Sequence, residues 1–129
     1  MSLNNIEIGV DIENIARFQK QSFLKNRSLL TKIYTKLELD YAFSKKNPAQ
    51  HLAARFAAKE AAIKTLTNLT PLFIQRHEIE ITHNQKGVPL IKICRLPNFN
   101  FKLSLSHSQT QALAFVVAIK NNKTKNTKK

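Results

Sequence analysis

The sequence predicts an α+β domain in which two or three helices pack on a largely antiparallel sheet. Two observations support this prediction. The first half of the chain contains long stretches of helix-forming residues, whereas the second half contains four short apolar or alternating segments separated by turn signals. A group of helices followed by a group of strands is typical of the α+β class. Because the chain has 129 residues, we expect a single domain over residues 1–120.

The first predicted element is a short strand over residues 6–10, which ends at Asp11. Apolar residues spaced through residues 15–30, Phe23 among them, then predict an irregular, basic helix over residues 12–30.

Two further helices have clear starting signals. Thr35 and Glu38 form a capping-box pair that opens one helix, so Glu38 is expected to be structural. Asn47 and Pro48 end that helix and begin the next, which continues through Leu66 on strong helix formers.

The second half is predicted to form four strands. Residues 78–82 alternate, residues 84–87 signal a turn, and residues 88–94 follow, which predicts a hairpin. Residues 101–107 alternate again. Residues 113–119 are almost wholly apolar, so this strand is expected to be central.

The charge points to an acidic partner. The formal net charge is +13, and five of the 21 basic residues are lysines from Lys120 onward, so the compact part retains about +8. Nucleic acid, a membrane surface, a polyphosphate ligand and an acidic protein all fit this charge. Residues 121–129 contain no apolar residue and are predicted to be a disordered basic tail. No long apolar run or signal-peptide pattern is present, so we expect a cytoplasmic protein.

Three residues suggest a site for a metal ion and a phosphate. Glu60 and Lys64 stand one helical turn apart in an alanine-rich segment, a spacing that also suits a surface salt bridge. Asp11 would stand beside Glu60 if the first strand packs on the alanine face. Two carboxylates about 4 Å apart repel by about 4 kcal/mol at an effective dielectric constant near 20, and Mg²⁺ would reverse that repulsion.

Other polar residues permit several interpretations. Gly87 is expected to be a positive-φ hairpin residue, a position where the backbone could also approach a phosphate. Ser106 and His107 are adjacent in a strand and therefore point to opposite faces, which argues against a hydrolase pair. They are better suited to hydrogen-bonding phosphate oxygens. The lone Cys94 is expected to fill a strand rather than act as a nucleophile.

These segments resemble the signature of the 4'-phosphopantetheinyl transferases, in particular the small bacterial holo-[acyl-carrier-protein] synthases. The resemblance covers about residues 6–119. The matching segments are residues 8–11, Arg17, residues 34–39, residues 56–61 with Lys64, residues 86–89 and residues 104–108. The chain departs from the family pattern after Lys64, where residues 65–71 contain no glycine.

The resemblance implies transfer of the phosphopantetheine arm of coenzyme A to a serine of apo acyl carrier protein, with release of adenosine 3',5'-bisphosphate. It implies that Asp11 and Glu60 hold Mg²⁺ and that Lys64 is catalytic. Either Glu60 or a water bound to Mg²⁺ or to Asp11 would accept the serine proton. The residues expected to contact coenzyme A are Arg55, Lys59, Lys64, Lys86, Gly87, Pro89, Ser106 and His107.

The resemblance also implies partners. The expected docking surface for the acidic carrier protein lies on the first helix and comprises Arg17, Lys20, Lys25 and Leu29. A homotrimer with sites between subunits is expected, as in the family's small class. The main alternative is a small basic nucleic-acid-binding module, which the charge favours, although exposed stacking aromatics, a helix-turn-helix and a zinc pattern are missing from the sequence.

Overall fold

The computed structural model describes residues 3–20 and 24–121. In these ranges the chain forms five strands, three α-helices and three short 3-10 segments. In chain order the strands and α-helices are β1 (Ile6–Asn14), α1 (Arg27–Ile33), α2 (Lys36–Phe43), α3 (Pro48–Leu66), β2 (Glu80–His83), β3 (Pro89–Lys92), β4 (Phe99–His107) and β5 (Gln111–Lys120). The 3-10 segments are Leu3–Asn5, Ile15–Phe18 and Arg76–Glu78.

The strands form two antiparallel sheets. One has the order β1-β5-β4, and the other is the β2–β3 hairpin. The predicted α+β class is therefore confirmed, and β5 is central in its sheet as predicted. The hairpin turn is also confirmed, with Gly87 at a φ of 82°.

Helix α3 crosses the inner face of the larger sheet at very short range. Its alanines 57, 58, 61 and 62 are fully buried and pack in one core with Ala114 and Val116 of β5. A Cβ added to Gly9 of β1 would lie 2.1 Å from the backbone oxygen of Ala61. The small residues on both elements therefore allow backbone-to-backbone approach, which places β1 directly on the segment that carries Glu60 and Lys64.

The predicted helix over residues 12–30 is wrong. Strand β1 continues to Asn14, which pairs with Gln111 at the start of β5. A 3-10 segment follows, and α1 begins only at Arg27. Pairing with a long partner strand overrides the weak helical spacing of the segment. Phe23, counted in that helix, lies outside the described residues, as does the predicted tail after Asn121.

The strands of the hairpin are shorter than predicted. The 3-10 segment Arg76–Glu78 delays the start of β2 to Glu80, and β3 ends at Lys92 rather than at residue 94. The capping box of α2 is confirmed, since Thr35 and Glu38 exchange both side-chain-to-backbone hydrogen bonds.

The outer face of the larger sheet is apolar and open. Ile8, Val10 and Ile12 of β1 are 63%, 50% and 51% exposed, and Leu113 and Phe115 of β5 are 36% and 40% exposed. The register sets Val10 opposite Phe115 and Ile12 opposite Leu113, so these side chains form one continuous patch, which we call the outer sheet face. Within the described ranges, no helix is both long and apolar enough to cross a membrane.

Candidate active site

Asp11 and Lys64 meet where β1 crosses α3. Lys64 Nζ donates a 2.8 Å hydrogen bond to the backbone oxygen of Val10 and lies 3.4 Å from Asp11 Oδ1. The carbonyl of Val10 is available because β1 is an edge strand. The Asp11 side chain is only 15% exposed, whereas that of Lys64 is 56% exposed. The ammonium group can therefore reach a bound molecule while the carboxylate stays shielded.

One oxygen of Asp11 lacks a partner. Asp11 Oδ2 is buried and accepts no hydrogen bond from the described residues. Leaving a buried charged oxygen unsatisfied costs at least about 1–3 kcal/mol, so this atom favours a ligand with positive charge. The described residues contain no group of three or more metal-binding side chains. A hard dication here would therefore rely on two carboxylates, water and substrate oxygens, which is how Mg²⁺ is commonly held.

Glu60 faces the same region from α3. The charges of both Asp11 and Glu60 act on Glu13, which stands two residues after Asp11 on the same face of β1. Both carboxylates predicted to hold the metal are therefore close enough for their charges to act on this third acid. Glu60 Oε2 also accepts a hydrogen bond from Arg76 Nε.

Sequence reasoning missed Glu13. Burial is the main cause that raises its pKa to about 7, and the neighbouring Asp11 carboxylate adds to the effect, while Arg17 opposes it. Arg17 Nη1 bonds Glu13 Oε1 at 2.7 Å. The two-residue period of a strand could have predicted that Glu13 lies on the same face as Asp11. This signal was not used, because the strand was predicted to end at Asp11.

Arg76 was also missed, and the sequence carries no local signal for it. It lies in the 3-10 segment before β2, 16 residues beyond Glu60. Its guanidinium carbon is 5.3 Å from the centre of the Phe56 ring, and its backbone oxygen accepts a 3.0 Å hydrogen bond from Lys59 Nζ.

The prediction that Lys59 lies near coenzyme A phosphates is wrong. Its side chain is fully buried, and Nζ bonds Glu38 Oε1 at 2.8 Å as well as the backbone oxygens of Arg76 and Ile79. Burial lowers the pKa of Lys59, while the charge of Glu38 opposes that shift. Glu38 in turn accepts a bond from the backbone nitrogen of Ile81. This ion pair joins α2, α3 and β2 inside the domain.

Arg55 lies beside a second polar site. Its guanidinium carbon is 4.3 Å from the centre of the Tyr41 ring, and Nη2 is 3.2 Å from His83 Nδ1. Burial lowers the pKa of Arg55, and Nε has no hydrogen-bond partner in the described part of the chain. Burial also lowers the pKa of His51 and His83, and the charge of Arg55 lowers both further.

The Arg55 guanidinium faces a cavity of about 420 Å³, which is lined by Leu37, Asp40, Tyr41, Arg55, Ile81, Thr82 and His83. A larger cavity of about 520 Å³ lies among α1, α2 and His77 and includes none of the predicted site residues. The smaller cavity combines an aromatic wall with an incompletely bonded guanidinium, an arrangement that suits an anionic ligand carrying a flat ring.

The remaining predicted coenzyme A contacts lie in three places. Pro89 pairs with His83 in the hairpin register, so the turn with Lys86 and Gly87 extends from the Arg55 cavity. His107 Nε2 is 3.0 Å from Gln50 Nε2 at the start of α3. Ser106 is exposed on the opposite face of β4, paired with Leu113. A single chain therefore does not bring Ser106 and His107 to the same surface.

The predicted docking residues are all exposed, but they do not share one helix. Arg17 lies in the 3-10 segment after β1, Lys20 and Lys25 flank the undescribed residues 21–23, and Leu29 lies on α1. This distribution corrects the expectation of a single docking helix.

Comparisons with known proteins identify the family of this chain. A family model described as the 4'-phosphopantetheinyl transferase superfamily matches residues 7–118. A holo-[acyl-carrier-protein] synthase of Thermodesulfovibrio yellowstonii is 43% identical over 112 residues, which cover 85% of this chain and 95% of the relative. One from Geobacter sp. (strain M21) is 40% identical over 117 residues, which cover 84% and 94%.

Solved structures show the same fold. The Bacillus anthracis holo-(acyl-carrier-protein) synthase in complex with CoA (3',5'-ADP) aligns with a TM-score of 0.73 at 29% identity, covering 88% of this chain and 96% of that chain. The Helicobacter pylori enzyme in complex with coenzyme A aligns with a TM-score of 0.73 at 28% identity, covering 87% and 99%. These likenesses favour the enzyme over the nucleic-acid-binding alternative. The chain belongs to the 4'-phosphopantetheinyl transferase superfamily and, within it, to the holo-[acyl-carrier-protein] synthases.

Proposed function

We propose that this enzyme transfers the 4'-phosphopantetheine arm of coenzyme A to a serine hydroxyl of apo acyl carrier protein in a Mg²⁺-dependent reaction that releases adenosine 3',5'-bisphosphate. The observation that carries the proposal is the shielded Asp11 carboxylate, which has one buried oxygen without a hydrogen-bond partner among the described residues and the other beside Lys64.

Asp11 and Glu60 are the residues that would hold Mg²⁺. Carboxylate oxygens are the ligands this cation prefers, and the unpartnered Asp11 Oδ2 fits that preference. When bound, the cation supplies positive charge to the pyrophosphate and offsets its repulsion by the two acids.

Lys64 acts on the phosphate that is transferred. Its ammonium group is anchored on the backbone oxygen of Val10, yet more than half of the side chain is exposed. It can therefore donate to an oxygen that gains negative charge during attack of the serine on the β-phosphorus. Such charge stabilisation, together with positioning, is the main source of rate enhancement in phosphoryl transfer.

Two groups are suited to accept the serine proton. Glu60 can act directly, and Asp11 can orient a water molecule that does so. Both lie where the strand and the helix meet, so either group could take the proton from the attacking serine oxygen there.

The Arg55 cavity is proposed to receive a phosphate-bearing part of coenzyme A. The Bacillus and Helicobacter relatives were solved with this ligand. Arg55 offers an unpaired Nε donor, and Tyr41 offers a ring face. The turn with Lys86, Gly87 and Pro89 adjoins this cavity. His107 and Ser106 complete the proposed set, with Ser106 on the outer sheet surface of a chain.

The acidic carrier protein is proposed to dock on exposed basic and apolar side chains before and on α1. Arg17 is central because its guanidinium lies 5.1 Å from the Phe56 ring, close to Glu60 on α3. Lys20, Lys25 and Leu29 extend this surface.

A homotrimer is proposed, with the outer sheet face covered by other copies of the chain. Five apolar side chains at least a third exposed on two adjacent strands form the kind of patch that marks an interface. An assembly of this kind would also bring the outward-facing Ser106 of one copy toward a neighbour. The cytoplasmic location stays a prediction.

The direct test is incubation with apo acyl carrier protein, coenzyme A and Mg²⁺, followed by mass spectrometry of the carrier. We expect a mass increase of one phosphopantetheine arm and its loss on chelation of Mg²⁺. Asp11→Ala and Glu60→Ala are expected to lower kcat/KM by at least about 100-fold, because each removes transition-state stabilisation of about 3 kcal/mol.

The matched control is Glu78→Gln, which removes a carboxylate that pairs with Arg95 and lies outside both the Asp11–Glu60 site and the lining of the Arg55 cavity. It is expected to retain near-normal turnover. Unchanged turnover in Asp11→Ala and Glu60→Ala would contradict the proposed metal site, and no mass increase with any acyl carrier protein would contradict the proposed reaction.

A further inference from the structure

Glu60 has a protein partner in this structure. Its Oε2 accepts a hydrogen bond from Nε of Arg76. The Glu60 side chain is 22% exposed and that of Arg76 is 44% exposed, so water screens this ion pair only in part. The guanidinium therefore competes for the same oxygens that a divalent cation would need.

Arg76 is held in place from two sides. Its backbone oxygen accepts a 3.0 Å hydrogen bond from the buried Lys59, which Glu38 fixes in turn. Its guanidinium packs over Phe56, one helical turn before Glu60 on α3. Arg76 is thus aimed at Glu60 by the interior of the domain, unlike an arginine that meets an acid by chance on the surface.

The charges around the site explain why such an arginine is useful. The charges of Asp11 and Glu60 both act on Glu13, and Lys64 is placed to neutralise Asp11. Without a dication, Glu60 would add to the repulsion among these acids. Arg76, in the 3-10 segment between α3 and β2, supplies a positive charge that offsets the charge of Glu60.

We propose that Arg76 is a positioning residue, which holds Glu60 as its internal counter-ion in the metal-free protein and yields the carboxylate when a divalent cation binds. The inference rests on the proposed function, because it assumes that Glu60 binds the metal. It predicts that the wild-type protein binds the cation more weakly than its acids alone would allow.

The experiment measures Mn²⁺ binding to the protein in the absence of coenzyme A, by titration calorimetry or by the electron paramagnetic resonance of free Mn²⁺. Removing a partly exposed ion pair is expected to tighten Mn²⁺ binding by about 1.5–5-fold in Arg76→Gln. Arg76→Lys keeps the charge but not the planar guanidinium, and we expect a smaller gain.

Arg95→Gln is the matched control. Arg95 pairs with Glu78 in a salt bridge of the same kind, with side-chain exposures of 48% and 22%. The substitution makes the same change in net charge away from Glu60, so Mn²⁺ affinity is expected to stay at the wild-type value. A gain of equal size in Arg95→Gln would show that net charge alone is responsible and would overturn the inference.

Two outcomes separate this inference from the proposed function. If Glu60→Gln loses Mn²⁺ affinity while Arg76→Gln and Arg76→Lys bind no more tightly than wild type, Arg76 does not compete and only the inference fails. If Glu60→Gln binds Mn²⁺ as well as wild type, the assignment of Glu60 to the metal fails and the inference falls with it. Thermal unfolding of each variant shows that the proteins compared are folded, and Arg76→Lys carries the test if Arg76→Gln does not fold.

Discussion

Lys59 shows what one charged side chain can do inside a small domain. It is fully buried, yet all the acceptors it needs lie around it: one carboxylate oxygen of Glu38 and two backbone oxygens. Because the acid partner also caps α2 and bonds β2, the pair fixes three elements at one point.

Replacing Lys59 tests this role. Lys59→Met should lower the free energy of unfolding by about 3–5 kcal/mol, because it leaves the charge of Glu38 buried without its partner. Urea denaturation of the ligand-free protein measures the change. The exposed pair Lys36–Asp40 provides the control, since Lys36→Met should cost no more than about 0.5 kcal/mol. A loss below about 1 kcal/mol in Lys59→Met would mean that the backbone donors of Thr35 and Ile81 compensate Glu38 unaided.

Helix phase could have predicted the burial of Lys59. It lies seven residues after Leu52 and seven before Leu66, both of which are buried, so all three share the inner face of α3. Its charge and its place next to Glu60 in the motif favoured the wrong interpretation. Arg76 differs, because its approach to Glu60 depends on how the loop after α3 returns across the helix, and no local pattern encodes that path.

At the scale of elements, local signals predicted α2, α3 and the hairpin turn, since a capping box, an Asn-Pro pair and a positive-φ glycine each act within a few residues. The length of β1 could not be predicted in this way. Residues 12–14 are in a strand because β5 offers them partners from 111 to 113, nearly 100 residues later in the chain. The same holds for the candidate site. Asp11, Glu60 and Lys64 can be predicted from local motifs, whereas Glu13 can be predicted only if the strand is known to continue past Asp11.

The contact between β1 and α3 yields a prediction of its own. Gly9→Ala would place a Cβ 2.1 Å from the Ala61 backbone oxygen, so the strand must move away from the helix. We expect a loss of about 1–3 kcal/mol in the free energy of unfolding. A shift of about 1 Å at Asp11 should also lower kcat/KM by about 100-fold. Denaturation and the carrier-modification assay measure the two effects.

A second substitution identifies which atom resists the new methyl group. The added Cβ would also lie 3.1 Å from Cγ2 of Thr65, and Thr65→Ser removes that methyl group while keeping a hydroxyl. Because the shorter contact is with backbone, Gly9→Ala combined with Thr65→Ser should remain as impaired as Gly9→Ala alone. Recovery of activity in the double variant would show that the side chain, and not the helix backbone, sets the distance between strand and helix.

At the scale of the whole molecule, the two faces of the larger sheet differ in the size and the exposure of their side chains. The inner face is filled by small side chains that bring α3 close, and the outer sheet face keeps large apolar side chains in contact with water. Monomeric proteins rarely expose a large continuous apolar patch. The proposed self-association would cover the outer sheet face, and it would place the Ser106 surface of one copy against another.

Phe115→Glu tests this assembly. Phe115 lies on the central strand of the sheet, opposite Val10 on one side and Ser104 on the other, so a carboxylate there would be desolvated in the proposed trimer. We expect the trimer to dissociate, with a dissociation constant raised at least about tenfold, while circular dichroism stays that of the folded chain because the residue is already 40% exposed. Sedimentation equilibrium over a range of concentrations measures the change, and turnover should fall in parallel if the sites lie between subunits.

Phe73→Glu introduces the same charge at a phenylalanine that is 77% exposed outside the sheet, and it should leave the oligomeric state unchanged. A wild-type protein that is monomeric and fully active, or a Phe115→Glu protein that remains trimeric, would remove the outer sheet face as the interface.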